Sequence, residues 1–174
     1  RKLNSKYVFE NKWFKVRQDT VEIAPGKIID DYFLTEFPDV VFIVALTRDK
    51  KVILVREYKY GVNDIIVQIP AGYKEKGEQP LAAAQRELLE ETGYSAPRWT
   101  TLGSFYSNTS RDRGNVHHLF LAQDALPVGK QNLDPTENIE VVLEPLEHVL
   151  EKVFNAEIKV AGAALALLLA TQKK

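Results

Sequence analysis

Residues 72–94 read GYKEKGEQPLAAAQRELLEETGY. From Pro80 onward this stretch predicts a helix. Proline suits a first helical turn, where its missing N–H would be unpaired anyway, and Gly93 stands where a helix favours glycine just past its C-terminus. At about 100° per residue, Leu81, Ala84 and Leu88 form an apolar stripe, while Glu87, Glu90 and Glu91 gather on the other side at i, i+3 and i+4. Like charges at those spacings oppose one another by a few tenths of a kcal/mol on an exposed helix. In a partly desolvated cleft, two carboxylates about 4 Å apart repel by roughly 4 kcal/mol. The helix macrodipole adds to the cost, because the cluster lies toward the negative C-terminal end. Arg86 reaches Glu90 at i+4, but one arginine cannot neutralise three glutamates. A divalent cation that takes oxygen ligands, Mg²⁺ or Mn²⁺, would compensate. An isolated E-x-x-E-E is more often a solvated acidic face, so the spacing alone leaves both readings open.

Upstream of the helix the sequence is rich in strand signals. Residues 12–23 and 27–37 flank Ala24-Pro25-Gly26, a turn-forming triplet, and predict a β-hairpin. Residues 40–47, VVFIVALT, are continuously apolar, as expected of a strand buried on both faces. Arg48-Asp49-Lys50 turns the chain into a strand over 51–60, and a third apolar run at 65–69 closes on Pro70-Ala71-Gly72. Downstream, residues 99–107, 116–122 and 139–143 read as strands, and residues 145–154 and 158–171 as helices. The pattern is that of an α+β domain, a sheet carrying a few helices.

Composition narrows the classes of function. The chain has 174 residues, long enough for one buried core. Lys plus Arg (23) against Asp plus Glu (24) gives a net charge of −1, which argues against a nucleic-acid coat or a membrane-surface protein. The absence of cysteine excludes disulfide frameworks, thiolate zinc sites and cysteine nucleophiles. The longest apolar run, 160–170, is too short to cross a bilayer and predicts a buried C-terminal helix. No signal-peptide pattern is visible from Arg1 on, and the expected location is cytoplasmic.

The surroundings of the acidic helix decide between its two readings. Gly72, Glu78, Arg86, Glu87, Leu88, Glu90, Glu91 and Gly93 fill, in register, the Nudix box G-x5-E-x7-R-E-U-x-E-E-x-G-U, where U is a bulky aliphatic residue. Tyr94 at the last place is a mild departure. The chain thus resembles the Nudix hydrolases, in which water attacks a phosphorus of a diphosphate with the help of divalent ions. The resemblance implies a Nudix fold, a mixed β-sheet sandwiched by helices, over residues 37–174. Residues 1–36 would form a β-hairpin extension serving dimerisation and substrate binding. It implies Glu87, Glu90 and Glu91 as ligands of Mg²⁺ or Mn²⁺, with a backbone carbonyl of Ala71 or Gly72 adding an oxygen. Arg86 would hold the glutamates in place, Glu78 would support the loop, and Gly72 and Gly93 would shape the motif.

The likeness extends beyond the box. The VREYKYGV strand, the IPAG entry and the terminal helices resemble the ADP-ribose and nucleoside-diphosphate-sugar pyrophosphatases. That resemblance implies a homodimer and a nucleoside diphosphate sugar as substrate, ADP-ribose first and GDP-mannose close behind. Arg56 and Lys59 match positions where such enzymes place basic residues near substrate. The loop SNTSRDRGN departs from the ADP-ribose pattern by lacking a proline; its Arg111 and Arg113 are further candidate substrate contacts. Glu90 and Glu91 are catalytic candidates on the helix. Glu137, in the acidic segment LDPTENIEV, is the best loop candidate for the general base, and Glu140 a weaker one. His117 and His118 are adjacent on an expected strand, so they face opposite ways and neither is assigned to metal. Tyr7, Phe9, Trp13, Phe14, Tyr32 and Phe33 are candidates for core, dimer interface or a base-stacking platform. Dinucleoside polyphosphates and oxidised nucleotides are alternative substrates of the same chemistry. A non-hydrolysing nucleotide-sugar sensor is a different class, in which the box glutamates, all present here, are usually eroded.

Overall fold

The computed structural model describes residues 1–173. In chain order the first elements are β1 (Lys2–Glu10), β2 (Lys15–Ala24), β3 (Lys27–Phe37), β4 (Val40–Thr47), β5 (Lys51–Lys59), β6 (Asp64–Gln68) and β7 (Ala71–Tyr73). There follow α1 (Pro80–Thr92), β8 (Tyr94–Ser95), β9 (Arg98–Tyr106), β10 (Asp112–Gly114), β11 (Val116–Pro127), β12 (Glu140–Pro145), α2 (Leu146–Phe154) and α3 (Ala161–Ala170). The chain divides into two compact units. One comprises Arg1–Asp39 with Phe105–Val116, the other Val40–Ser104 and the chain from His117 on.

The first unit is a four-stranded sheet in the order β1-β2-β3-β10. The hairpin expected around Ala24-Pro25-Gly26 joins β2 to β3. Strand β1 was not expected, because KLNSKYVFE lacks a clean apolar alternation. Its partner organises it instead: Arg17 and Asp19 on β2 are buried and share a two-pronged ion pair, both bonds 2.8 Å. Ser5 on β1 donates to Asp19 at 2.6 Å, and Tyr7 donates to Glu36 on β3 at 3.1 Å. Arg17 also donates to Glu36, so the charges across three strands are satisfied together. Phe14 lies between Phe9 and Phe37, both ring centroids 5.4 Å away. The SNTSRDRGN segment is more ordered than its polarity suggests. It forms β10, parallel to β3, with Asp112 accepting from the Thr35 hydroxyl at 2.6 Å.

The second unit is built on β4. Its even residues Phe42, Val44 and Leu46 pack with Leu119, Leu121, Val149, Ala163 and Leu167 in one core, toward α2 and α3. Its odd residues Val41, Ile43 and Ala45 pack with Ala84, Leu88 and Phe120 in a second core, toward α1. Strand alternation sends successive side chains to opposite faces; a strand with helices on both faces must therefore be apolar on both, as VVFIVAL is up to Thr47 at its end. One edge of β4 runs parallel to β11, from Val40 opposite His117 onward. On the other edge β5 meets β4 only at Leu46–Val52 and then diverges. Strand β6 continues along β5, and β7 returns along β4. The sheet thus splits, and Ala71 and Gly72 lie in the split. This is the mixed sheet between helices that the resemblance to the Nudix hydrolases implies. The apolar run at 160–170 forms α3, whose Ala163, Ala166 and Leu167 are buried. Among the described residues no helix is long and apolar enough to cross a membrane.

Candidate active site

Helix α1 begins with Pro80 in its first turn and ends at Gly93, which takes the left-handed conformation with φ 73° and donates its N–H to Leu89 O at 2.8 Å. A Cβ at Gly93 would stand 2.5 Å from Gly129 O, so both the backbone twist and the space demand glycine. The face of α1 that packs on the sheet carries Ala83, Ala84, Leu88 and Glu91. This corrects the expected helical wheel in two places. Leu81 is exposed, and Glu91 belongs to the buried face rather than sharing an outer face with Glu87 and Glu90. Seven residues bring Glu91 back to within about 20° of Ala84, so helix geometry drives it into the interior despite its charge.

Arg86 organises the outer carboxylates. Its guanidinium donates to Glu87 at 2.7 Å, to Glu90 at 2.9 Å and to the Tyr73 carbonyl at 3.0 Å. It also grips Glu78 with two bonds of 3.0 and 3.1 Å, the forked geometry that arginine favours with carboxylate. Glu78 in turn accepts the Glu75 N–H at 2.9 Å, closing the loop between β7 and α1. The Arg86 pairing holds the Glu78 carboxyl below its ordinary range. Gly72 matters through space: a Cβ there would lie 2.1–2.3 Å from the Glu87 carboxylate atoms. Gly72→Ala is therefore expected to displace Glu87 and lower kcat roughly ten- to hundredfold while the fold survives. Steady-state kinetics together with a thermal melt will check both halves of that expectation.

Glu91 is 6% exposed, and its Oε2 accepts the Ala71 N–H at 3.0 Å. Burial pushes its pKa up to about 8, with the negative charge of Glu87 adding to the effect. Burial also raises Glu87, against the opposing pull of Arg86. The charge of Glu137 acts on both Glu87 and Glu91, so the acidic loop brings its glutamate into their neighbourhood. The positive charge of Lys59 acts the other way at Glu91 and lowers its pKa.

Lys59 and Arg56 do not share a face of β5. Ile53 on this strand packs toward α1 and Leu54 toward α2 and α3. By alternation Lys59 falls with Ile53, on the side of the glutamates, and Arg56 with Leu54. Arg56 pairs there with Glu140 at 3.2 Å, directly across on β12. Lys59 is held by Glu57, two residues back on its own face, at 2.5 Å. Glu57 is absent from the sequence-predicted site residues, although the i, i+2 spacing of opposite charges on a strand signals its pairing with Lys59. In the other unit, Arg111 lies over the Tyr32 ring, 4.8 Å from its centroid, and donates to Phe33 O at 3.3 Å. It helps line an open hollow with Val16, Asp31 and Thr35. Arg113 is exposed on β10, in register with Glu36. His117 lies tilted against the Phe42 ring, centroids 5.0 Å apart, whereas His118 bonds Ser104 at 2.8 Å through Nδ1, so the two imidazoles point apart.

The donor set around α1 is composed of oxygen: the carboxylates of Glu87, Glu90 and Glu91 and the backbone of Ala71 and Gly72. Such a set suits hard divalent cations. A buried carboxylate whose charged form is penalised at Glu91 is the feature a cation would relieve. Among the described residues no three acidic or histidine side chains form a ready-made cage, and Arg86 stands between Glu78, Glu87 and Glu90.

Comparison with known proteins places the fold in a family. The NUDIX domain family matches residues 36–162, and the nucleoside diphosphate sugar hydrolase N-terminal domain family matches residues 1–34. The chain is 34% identical over 161 residues to the ADP-ribose pyrophosphatase of Bacillus subtilis (strain 168), covering 92% of this chain and 86% of that protein. It is 29% identical over 180 residues to the methanol dehydrogenase activator of Bacillus methanolicus, covering 99% and 95% of the two chains. A crystal structure of an ADP compounds hydrolase superposes with a TM-score of 0.83 at 26% identity, over 99% of this chain and 92% of the other. The chain belongs to the Nudix family. It is a Nudix hydrolase, a family whose members generally use divalent metal ions to cleave phosphoanhydride bonds.

Proposed function

We propose that this enzyme cleaves a nucleoside diphosphate sugar, with ADP-ribose preferred and GDP-mannose next, into a nucleoside monophosphate and a sugar phosphate. The observation that carries the reading is the buried Glu91 at the split of the sheet, flanked by Glu87 and by an arginine-clamped Glu90. The likeness to an ADP-ribose pyrophosphatase over nearly the whole chain supports the choice of substrate. Glu87, Glu90 and Glu91, with the Ala71 carbonyl, would hold Mg²⁺ or Mn²⁺. The bound ion would supply charge neutralisation on the diphosphate oxygens and acidify water. Arg86, gripped by Glu78, orients Glu87 and Glu90, Gly72 leaves room for Glu87, and Gly93 lets the backbone at Gly129 close on the helix end. Glu137 takes the proton from the attacking water as the P–O bond to the bridging oxygen breaks. Lys59, on the glutamate face, contacts the diphosphate. Arg56, Arg111 and Arg113 are the remaining candidate substrate contacts, with the guanidinium of Arg111 already stacked on an aromatic ring. Leu3 and Val8 on β1, Trp13 between β1 and β2 and Ile28 on β3 are exposed apolar residues of the N-terminal unit, which supports a homodimer formed through it.

The test is a panel of ADP-ribose, GDP-mannose, UDP-glucose, dinucleoside polyphosphates and coenzyme A with Mg²⁺, following phosphate released by added phosphatase. ADP-ribose is expected to give the highest kcat/KM. A dinucleoside polyphosphate at the head of the ranking would overturn the substrate assignment. In the same assay Arg111→Ala is expected to raise KM for the preferred substrate about tenfold with kcat nearly unchanged. Unaltered KM and ranking would show that Arg111 takes no part in recognition.

A further inference from the structure

The connection from β11 to β12 folds back over the C-terminal end of α1. The N–H groups of Val128 and Gly129 both donate to Gly93 O, at 2.9 and 3.2 Å, and Asn132 N–H donates to Glu90 O at 2.9 Å. These backbone bonds satisfy carbonyls that a helix end leaves without partners. They all lie before the acidic segment, however, and none restrains residues 133–139. Gln131 does. Its side-chain Nε2 donates to Glu91 O at 2.6 Å and to Ile139 O at 3.0 Å. One amide thus ties the helix residue at the heart of the site to the far end of the loop, where the Ile139 side chain is buried. Between these anchors, Asp134 and Glu137 close a turn on themselves. Glu137 N–H donates to Asp134 O at 2.9 Å, and Asp134 N–H donates to the Glu137 carboxylate at 3.0 Å. The turn is closed by its own bonds, so its position depends on what holds its two ends.

We propose that Gln131 is a positioning residue of the reaction: by bridging Glu91 O and Ile139 O it fixes the 134–137 turn, and with it the Glu137 carboxylate, over the acidic helix. The inference rests on the reading of Glu137 as the loop acid. Removing the bridge leaves α1 and its glutamates in place, because the backbone bonds at 128–132 remain, but frees the turn to shift. An ångström of misplacement is enough to cost one to two orders of magnitude at a reacting centre. Substrate affinity, set elsewhere, should hardly change.

Gln131→Glu tests the idea at constant shape, since a carboxylate cannot donate to either carbonyl; Gln131→Ala removes the side chain altogether. Both are compared with wild type and with Glu137→Gln, using ADP-ribose with Mg²⁺ and amide hydrogen exchange of the folded protein. The expected result is a fall in kcat of about tenfold or more with KM within about twofold. Exchange should quicken over residues 133–139 while α1 stays protected. In the Glu137→Gln background, adding Gln131→Glu should produce no further loss, because the two act through one group. Equal fold losses in both backgrounds, unchanged kcat, or unchanged loop exchange would overturn the proposal. Wild-type kcat in Glu137→Gln alone would instead defeat the reading of Glu137, an outcome separate from the behaviour of the Gln131 variants.

Discussion

Glu91→Gln is expected to lower kcat by roughly three orders of magnitude, about 4 kcal/mol of transition-state stabilisation, while making the metal-free protein more stable at alkaline pH. Both effects come from the same burial. Glu91 lies in the apolar face of α1 with Ala84 and Leu88, and that burial lifts its pKa from the ordinary 4.5 to about 8. In the metal-free fold it therefore retains a proton between about pH 4.5 and pH 8 that the unfolded chain has released. Where the native state binds more protons than the unfolded state, stability falls as pH rises. The glutamate is thus nearly neutral in effect below pH 4.5 and destabilising, on the order of a few kcal/mol, once the pH passes its folded pKa. Glutamine keeps the shape and removes the titration. Thermal melts of the chelated protein across this window should converge at low pH and diverge at high pH, with the variant higher. A wild-type melting temperature independent of pH between 5 and 9 would contradict the account of burial at Glu91.

Arg86→Ala is expected to be nearly as damaging, through a different route. One guanidinium serves Glu78, Glu87, Glu90 and the Tyr73 carbonyl. Without it three carboxylates crowd one another in partly buried positions, and the 73–79 loop loses its tie to the helix. Breaking a fully buried pair costs about 3–5 kcal/mol. The Arg86 side chain retains a quarter of its exposure, so a loss of about 2–3 kcal/mol is expected in urea unfolding. Displaced glutamates should lower kcat about a hundredfold as well. Arg86→Lys restores the charge but not the fork, and should recover stability more than activity. If the lysine variant equals wild type in kcat, the forked geometry is irrelevant.

Much of this arrangement was legible from periodicity and spacing. A run of seven apolar residues closed by Thr47 forced β4 into the middle of a helix-covered sheet, and Pro80 and Gly93 marked where α1 begins and ends. What escaped has physical reasons. Strand β1 is held by a charge network centred on its neighbour Arg17, and no pattern in KLNSKYVFE announces that. Strands β7, β8 and β10 have two or three residues, too few for a period to register. The i+4 spacing to Glu87 groups Glu91 with the other glutamates, but the same helix geometry also puts it within about 20° of Ala84, on the packed face. The alternation in β5 separates Arg56 from Lys59 in any register, but only the packing of Ile53 against α1 tells which of them faces the glutamates. Gln131 carried no signal, since its partners are two backbone carbonyls that become neighbours only when the loop closes on the helix end.

The dependence of turnover on a divalent ion tests the central claim most directly. Protein stripped of metal and assayed with ADP-ribose in excess chelator should show no hydrolysis. Adding Mg²⁺ or Mn²⁺ beyond the chelator should restore the wild type, whereas Glu91→Gln should stay about a thousandfold slower under the same addition. Full turnover in excess chelator, after removal of bound metal, would contradict the assignment of the acidic helix as a cation-binding catalytic centre.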